Sequence, residues 1–442
     1  MKKFQKVVLA AAVLAVAFAV NAFAADGWVQ EGNGWRYYEK NEPVSNCWKL
    51  DSAGDYFYLD YNGYMASNGF VDIDRYVDPT GRMVKNAWRQ IDNSWYYFES
   101  NGRMVRSKKK QIEGLWYYFD DMGAMITGWY NDGNDWYYCD GNSGGHMVVN
   151  TWKKLVPADA MDTLNDDTGD GSYWFYFYSS GKAAKADNGD YKEISIGGSR
   201  FAFDYCGRMR TGWVKLSQTE PAIAGYKYYN DDTSLGVYGA AHTGWLSTYI
   251  PEEIDNSGEV RWFYFSSTGV PAYGNEISGE AIEASLKKIS KNGATYSYLF
   301  NSTGNPVYGL RKVITSSGEE TSMYFGTKNQ SCLQKATSVV EGDGTTWRYA
   351  FTSSGYGITG VKNGYLYNKG KLQKAQEGTL GYVKVAGKTY LINNAGYVVK
   401  NYNKSKKADE VEFRSDANGY RDGGTAGVEE TLEPVYNTDE DY

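Results

Sequence analysis

A period near twenty residues constrains this chain more than any other feature. Gly81, Gly102, Gly123 and Gly145 follow one another at intervals of 21, 21 and 22 residues. Their surroundings recur with them. Trp88 precedes Trp95-Tyr96-Tyr97-Phe98 and then Gly102-Arg103-Met104. Trp116-Tyr117-Tyr118-Phe119 leads to Gly123-Ala124-Met125, and Trp129 precedes Trp136-Tyr137-Tyr138 and Gly145-His146-Met147. A fixed period of this length marks an array of small units, each of which buries its apolar face only against its neighbours.

Trp-Tyr-Tyr-Phe is a run of strong strand formers. The loop after it, Glu99-Ser100-Asn101-Gly102, ends in Asn-Gly, a pair that tolerates the positive φ of a tight turn. The pattern therefore predicts a hairpin whose return strand opens at Gly-X-Met. One such hairpin is marginally stable in water, so the units must stack. The expected fold is all-β, an elongated solenoid of stacked β-hairpin repeats.

The chain divides by how well the pattern is kept. Residues 1–24 read as a secretion signal: Lys2, Lys3 and Lys6, an apolar run from Val7 to Val20, and Ala22-Phe23-Ala24 as the cleavage site. That run is too short to span a bilayer. Residues 25–155 carry the well-formed repeats, cleanest from Trp88 to Trp152. Residues 156–420 carry degenerate repeats with insertions, among them Trp174-Phe175-Tyr176-Phe177, Trp262-Phe263-Tyr264-Phe265 and Tyr296-Ser297-Tyr298. Within them Gly279–Lys291 has helix-like spacing at Ile282, Leu286 and Ile289 and reads as a short helix or an insertion. Residues 421–442 hold seven acidic residues against one basic one and read as an acidic disordered tail.

Composition narrows the function. The formal charge of −7 becomes −10 once the three signal lysines are set aside, which suits neutral or cationic partners and not nucleic acid. With 41 Tyr, 14 Trp and 51 Gly against 8 Pro and 2 His, the chain does not resemble a single-core enzyme. The repeats leave no block for a catalytic domain, and no G-x-S-x-G, H-E-x-x-H or phosphate-binding loop occurs. No catalytic residue, metal ligand or cofactor is expected. Asn165–Gly171 is rich in Asp and Asn but lacks the closing acidic residue of an EF-hand, since Phe175 and Tyr176 lie there. Cys47, Cys139, Cys206 and Cys332 are at least 67 residues apart. In a solenoid, where only adjacent units meet, that spacing predicts four free thiols.

The units resemble the cell-wall-binding or choline-binding repeats of Gram-positive surface proteins: Gly-Trp, a polar spacer, Trp-Tyr-Tyr, a short turn, Gly-X-Met. The resemblance is close from Trp88 to Trp152 and loose elsewhere. It implies ligand sites between consecutive hairpins, built as aromatic cages for a quaternary ammonium. Such a group has no proton to donate, and ring faces hold it at about 0.5–2 kcal/mol each. Carried over residue by residue, the resemblance implies a cage of Trp88 and Trp95 with Tyr118 from the next hairpin and Met104 beneath. Trp129 and Trp136 form a second, and Trp28 and Trp35 with Tyr58 a third. Ser107-Lys108 replaces Gly-Trp, so the Trp116 cage lacks a wall and Lys108 repels a cation. Trp213 with Tyr228, and Trp245 with Trp262, are expected as distorted sites, and Gly360-Val361 as a dead one.

The implied function is a non-catalytic, secreted surface protein held non-covalently on the cell wall, with choline on teichoic acid as ligand. A glucan or other wall polysaccharide is the alternative, because flat rings also stack on sugars. A structural or adhesive surface protein without a small ligand is the third reading. Residues 156–420 are expected to face outward toward a host or surface protein partner.

Overall fold

In the computed structural model the described residues are 26–161, 170–187, 191–274, 281–282, 286–315, 317–404 and 412–438. The secretion signal and most of the Asp-rich run at 165–171 lie outside them. The chain forms two compact units. One runs to Thr151 and takes in Phe177–Ala183; the other holds Trp152–Tyr176 and continues from Ala184. Both are stacks of β-hairpins. Sixteen small sheets are present among the described residues, each built on an antiparallel pair, and the helical elements are single 3₁₀ turns such as Gly141–Ser143 and Ala222–Gly225.

The hairpin is drawn one step earlier in the repeat than the sequence suggested. Ala87–Ile91 pairs with Ser94–Phe98, so the Gly-Trp strand is the partner of Trp-Tyr-Tyr. The tight turn is Asp92-Asn93, with φ of 47° and 68°. Two consecutive positive φ angles make a turn whose twist matches that of the strands. Glu113-Gly114, Asn292-Gly293 and Asn363-Gly364 repeat it. The Asn-Gly loop after Phe98 leads instead to a single bridge, Phe98 to Met104.

Gly-X-Met is the coupling between units. Met65 N donates to Trp35 O, Met125 N to Trp95 O and Met147 N to Trp116 O, each at 2.7 Å. In every case the donor belongs to the unit after the acceptor. The glycine of the turn then rests on the methionine before it. A Cβ at Gly123 would stand 2.5 Å from Met104 Sδ, and its φ is +84°. Only glycine meets both demands.

Three expectations are corrected. Gly279–Lys291 is no helix where it is described: Ala281–Ile282 is a short strand, and Lys287–Lys291 pairs with Ala294–Tyr298. The apolar spacing there belongs to a buried strand position, Ile289. The acidic tail is packed as far as it is described. Val428–Glu429 adds in parallel to Leu380–Val385. Glu433 meets Lys369 at 3.0 Å, Lys371 Nζ donates to Glu433 O at 2.9 Å, and Asn437 Oδ1 accepts from Leu310 N at 2.8 Å. Glu429 accepts instead from the backbone N–H of Gln376 at 2.7 Å, and Tyr436 packs on the cluster of Leu310, Val339 and Tyr349. Composition alone concealed this pairing. Third, Lys109, not Lys108, stands in the tryptophan register: it pairs with Tyr118 as Trp88 pairs with Tyr97.

The cysteines form no disulfide with one another. Cys139 takes the buried register that Phe98 holds, each opposite the first residue of its partner strand. Cys206 Sγ contacts Met161 O at 3.1 Å.

Candidate binding site

Side chains alternate along a strand, so each hairpin has two faces. Register places Trp88, Gln90, Trp95 and Tyr97 on one face, and Arg89, Tyr96 and Phe98 on the other. The first face meets the second face of the following hairpin, which carries Tyr117 and Phe119. The ring of Trp88 lies 4.9 Å from Tyr117 at 66° and 5.7 Å from Phe119 at 28°. It lies 5.3 Å from Tyr97 and 6.4 Å from Trp95, the latter at 83°. Each edge-to-face pair adds about 0.5–1.5 kcal/mol beyond its buried area. Trp88 and Trp95 thus stand as a near-perpendicular corner, and Trp95 is 39% exposed, so the corner opens to solvent. Its floor is Val105, Ile112 and Phe119, with Met125 packed on them.

The first candidate set is therefore brought together only in part. Trp88 and Trp95 meet. Tyr118 is one residue out of phase: it is buried on the opposite face, 4.1 Å from Tyr130 and 5.3 Å from Tyr137. The wall it was assigned is Tyr117. Met104 belongs to the preceding interface, in a cluster with Tyr76, Val84 and Phe98, and Met125 takes its place beneath Trp88. The same phase shift recurs at the start of the chain. Trp28 lies 5.2 Å from Tyr37 and 5.3 Å from Phe57, while Tyr58 pairs with Trp48 at 5.2 Å. Trp35 shares the face of Trp28 and Tyr37. Trp129 and Trp136 form the expected corner, 6.1 Å apart at 88°, with Tyr138 at 5.3 Å and Phe177 at 5.9 Å.

Charge beside these corners is paired. Lys110 Nζ lies 2.7 Å from Glu99, and Lys108 Nζ 3.5 Å from the same oxygen. The hydrogen bond from Lys110 holds the Glu99 carboxyl below its usual range. Lys49 bonds Glu39 at 2.6 Å in the corresponding place, and its ammonium sits 5.3 Å from the Tyr37 ring. Burial pushes the Tyr117 hydroxyl up, so it remains neutral as a wall.

The sequence undervalued the second unit. Trp245 lies 6.4 Å from Trp262, 5.2 Å from Tyr264, 4.9 Å from Tyr298 and 6.1 Å from Phe300. No distance differs by more than 0.4 Å from its counterpart around Trp88. Trp262 is 55% exposed, again at the rim, and the Trp245 Nε1–H is buried without an acceptor. Trp213 repeats the arrangement with Tyr226, Tyr228 and Phe263 at 6.3, 5.5 and 5.0 Å. Trp152, not singled out from the sequence, does so with Tyr176 at 5.2 Å and Phe201 at 4.8 Å. A readable signal existed: two rings at i and i+2 on the following hairpin, as in Tyr117/Phe119, Phe201/Phe203, Phe263/Phe265 and Tyr298/Phe300.

Among the described residues no group of His, Cys, Asp and Glu is arranged to hold a metal ion. No helix there is long and apolar enough to cross a membrane.

The choline-binding repeat model matches residues 107–152, and the model of a putative cell wall binding repeat matches residues 86–104. No curated protein matches the chain. Similar solved structures include the modular autolysin LytC from Streptococcus pneumoniae in complex with a synthetic peptidoglycan ligand. Identity there is 20% over 65% of this chain and 54% of that one, with a TM-score of 0.39. This chain thus spans about half the length of LytC. Choline binding protein F from the same organism is 19% identical over 76% of this chain and 98% of that one, at a TM-score of 0.34. The choline-binding domain of CbpL, also from Streptococcus pneumoniae, is 24% identical over 42% and 97%, at 0.28. The stretch from 86 to 152 is built of cell-wall-binding repeats of the choline-binding family.

Proposed function

We propose that this chain attaches non-covalently to a cell wall by holding quaternary ammonium groups, choline in the first place, in the aromatic corners between consecutive hairpins, and that it does so without catalysis. The observation that carries the reading is the four-ring set shared by Trp88 and Trp245, in two stretches whose sequences have diverged. A trimethylammonium head seated against Trp88 and Trp95 offers its charge to ring faces and its methyls to an apolar floor. Each face contributes about 0.5–2 kcal/mol. Single sites are then weak, and several on one chain give firm attachment to a polymer that carries many such groups. The corners at Trp152 and Trp245 would extend wall binding well beyond residue 155.

The rim tryptophans support a second reading, in which Trp95 and Trp262 stack on sugar rings of a wall polysaccharide. Titration of tryptophan fluorescence separates the two. Choline should change the emission saturably, and dextran should not. Trp88→Ala should remove part of the choline signal. Silence toward choline with a response to dextran would replace the first reading by the second; silence toward both would leave a structural surface protein.

A further inference from the structure

Several interfaces have the shape of these corners but not their chemistry. In one, Arg75 stands in the register of Tyr117. Tyr76 pairs with Phe70 as Tyr97 does with Trp88, so Arg75 faces back onto the preceding hairpin. Its guanidinium carbon lies 6.0 Å from the Trp48 ring, beside the Trp48–Tyr58 pair. Asp72 holds it at 3.3 Å and Asp74 at 3.6 Å, and Asp72 also accepts from Trp48 Nε1 at 3.0 Å. In another, Lys109 occupies the register of Trp88, and its ammonium lies 5.3 Å from the Trp116 ring. The Trp213 corner has Lys215 at 5.6 Å from Tyr226, anchored to Glu253 at 2.7 Å. Between Ser199–Asp204 and Tyr226–Tyr229 the ring corner is replaced by charge: Glu193 holds the tryptophan register and meets Lys227 at 2.9 Å. By contrast, no cation of the described residues lies over the rings around Trp88 or Trp245.

We infer that Arg75 and Lys109 are built-in occupants: each places the chain's own cation on the ring that would otherwise face a ligand, and so decides which interfaces accept a quaternary ammonium from outside. A cation within about 6 Å of a ring centre gains the attraction a bound ligand would gain. Being tethered, it does so without the entropy cost of association. Arg75 is also fixed by two carboxylates, which a free ligand would have to replace. Trp48 and Trp116 are thereby removed from the binding array, while their rings continue to pack the stack. This inference rests on the choline reading above.

The test changes the occupant and counts ligands. Equilibrium dialysis with choline measures its stoichiometry on the full chain and on R75Y, R75K and K109W. R75Y and K109W should each bind an additional equivalent, and R75K should bind as the parent does. An unchanged count in both R75Y and K109W, with the parent binding choline, overturns the inference. A second readout does not use choline. The Trp48 emission, taken as the difference from Trp48→Phe, should become more accessible to acrylamide quenching in R75M and not in R75K. Equal quenching in the parent and R75M likewise overturns it. A parent that binds no choline but shows the R75M effect would sink the proposed function and leave the built-in occupant standing.

Discussion

Tyr298 stands 4.9 Å from Trp245, the separation that Tyr117 keeps from Trp88. The two pairs are built from different surroundings, one in a regular repeat and one among insertions. What they share is a tryptophan on one hairpin face and rings at alternate positions on the next.

The rim ring of the second pair is the safest place to test binding. Trp262 is more than half exposed, so Trp262→Ala should cost little stability, within about 1 kcal/mol. If Trp262 forms one wall of the site, the change should weaken choline binding there by about 2- to 30-fold, the equivalent of one cation–ring contact. Isothermal titration of the variant reads this directly. An unchanged isotherm would remove Trp262 from the site.

The C-terminal segment should matter for folding. Lys371 is buried, bonds Glu341 at 2.8 Å and donates to Glu433 O, while Tyr349 donates its hydroxyl to the same Glu341 side chain. Lys371→Met leaves Glu341 buried without its cation and should cost about 3–5 kcal/mol. Deleting residues 428–442 should lower the denaturant midpoint of the second unit as well. Urea unfolding followed by near-ultraviolet circular dichroism checks both. A truncated chain as stable as the parent would show that the segment only lies on the surface.

His242 supplies a pH dependence. Its Nδ1 lies 2.8 Å from Asn230 Oδ1, and burial lowers its pKa from 6.5. The folded chain therefore favours neutral imidazole. The contribution is fully present above the unfolded pKa, near 6.5, and is lost as pH falls through the lower folded value. Melting temperature should decline below about pH 6.5, and His242→Gln should flatten that part of the curve. A parallel decline in the variant would assign it to other groups.

Thiol reactivity should differ along the chain. Cys139 is fully buried, and burial pushes its thiol up to about 12. It should resist alkylation at pH 8 in the folded protein and react on unfolding. Cys47 is only half-buried and should label first. Mass spectrometry of partly alkylated protein gives the order.

Much of this was legible in the sequence, because period and ring content are carried by Trp88, Trp95, Gly102 and their copies. What escaped was phase. A shift of one residue moves a side chain to the other face of a strand, and that separates Tyr117 from Tyr118. The turn was misplaced for a related reason: Asp92-Asn93 and Asn101-Gly102 both carry turn chemistry, and only strand register shows which one closes the hairpin. Around Trp245 the insertions hid a preserved face, since loop length says nothing about which rings share a side. The acidic segment escaped because its partners, Lys369, Lys371 and Leu310, lie far away along the chain.

Where a turn glycine rests on a methionine, as Gly123 does on Met104, the contact also sets a chemical weakness. Met104 and Met147 are buried, and the turn glycine above Met104 leaves its sulfur no spare volume. A sulfoxide oxygen on Met104 would need the space that Gly123 leaves vacant only for the thioether, and it would bring a polar group into an apolar seam. Oxidants reaching that sulfur would part neighbouring hairpins and disturb the rings on either side. Exposure to peroxide would then act on this protein as a loosening of its joints, one methionine at a time, well before any tryptophan is itself destroyed.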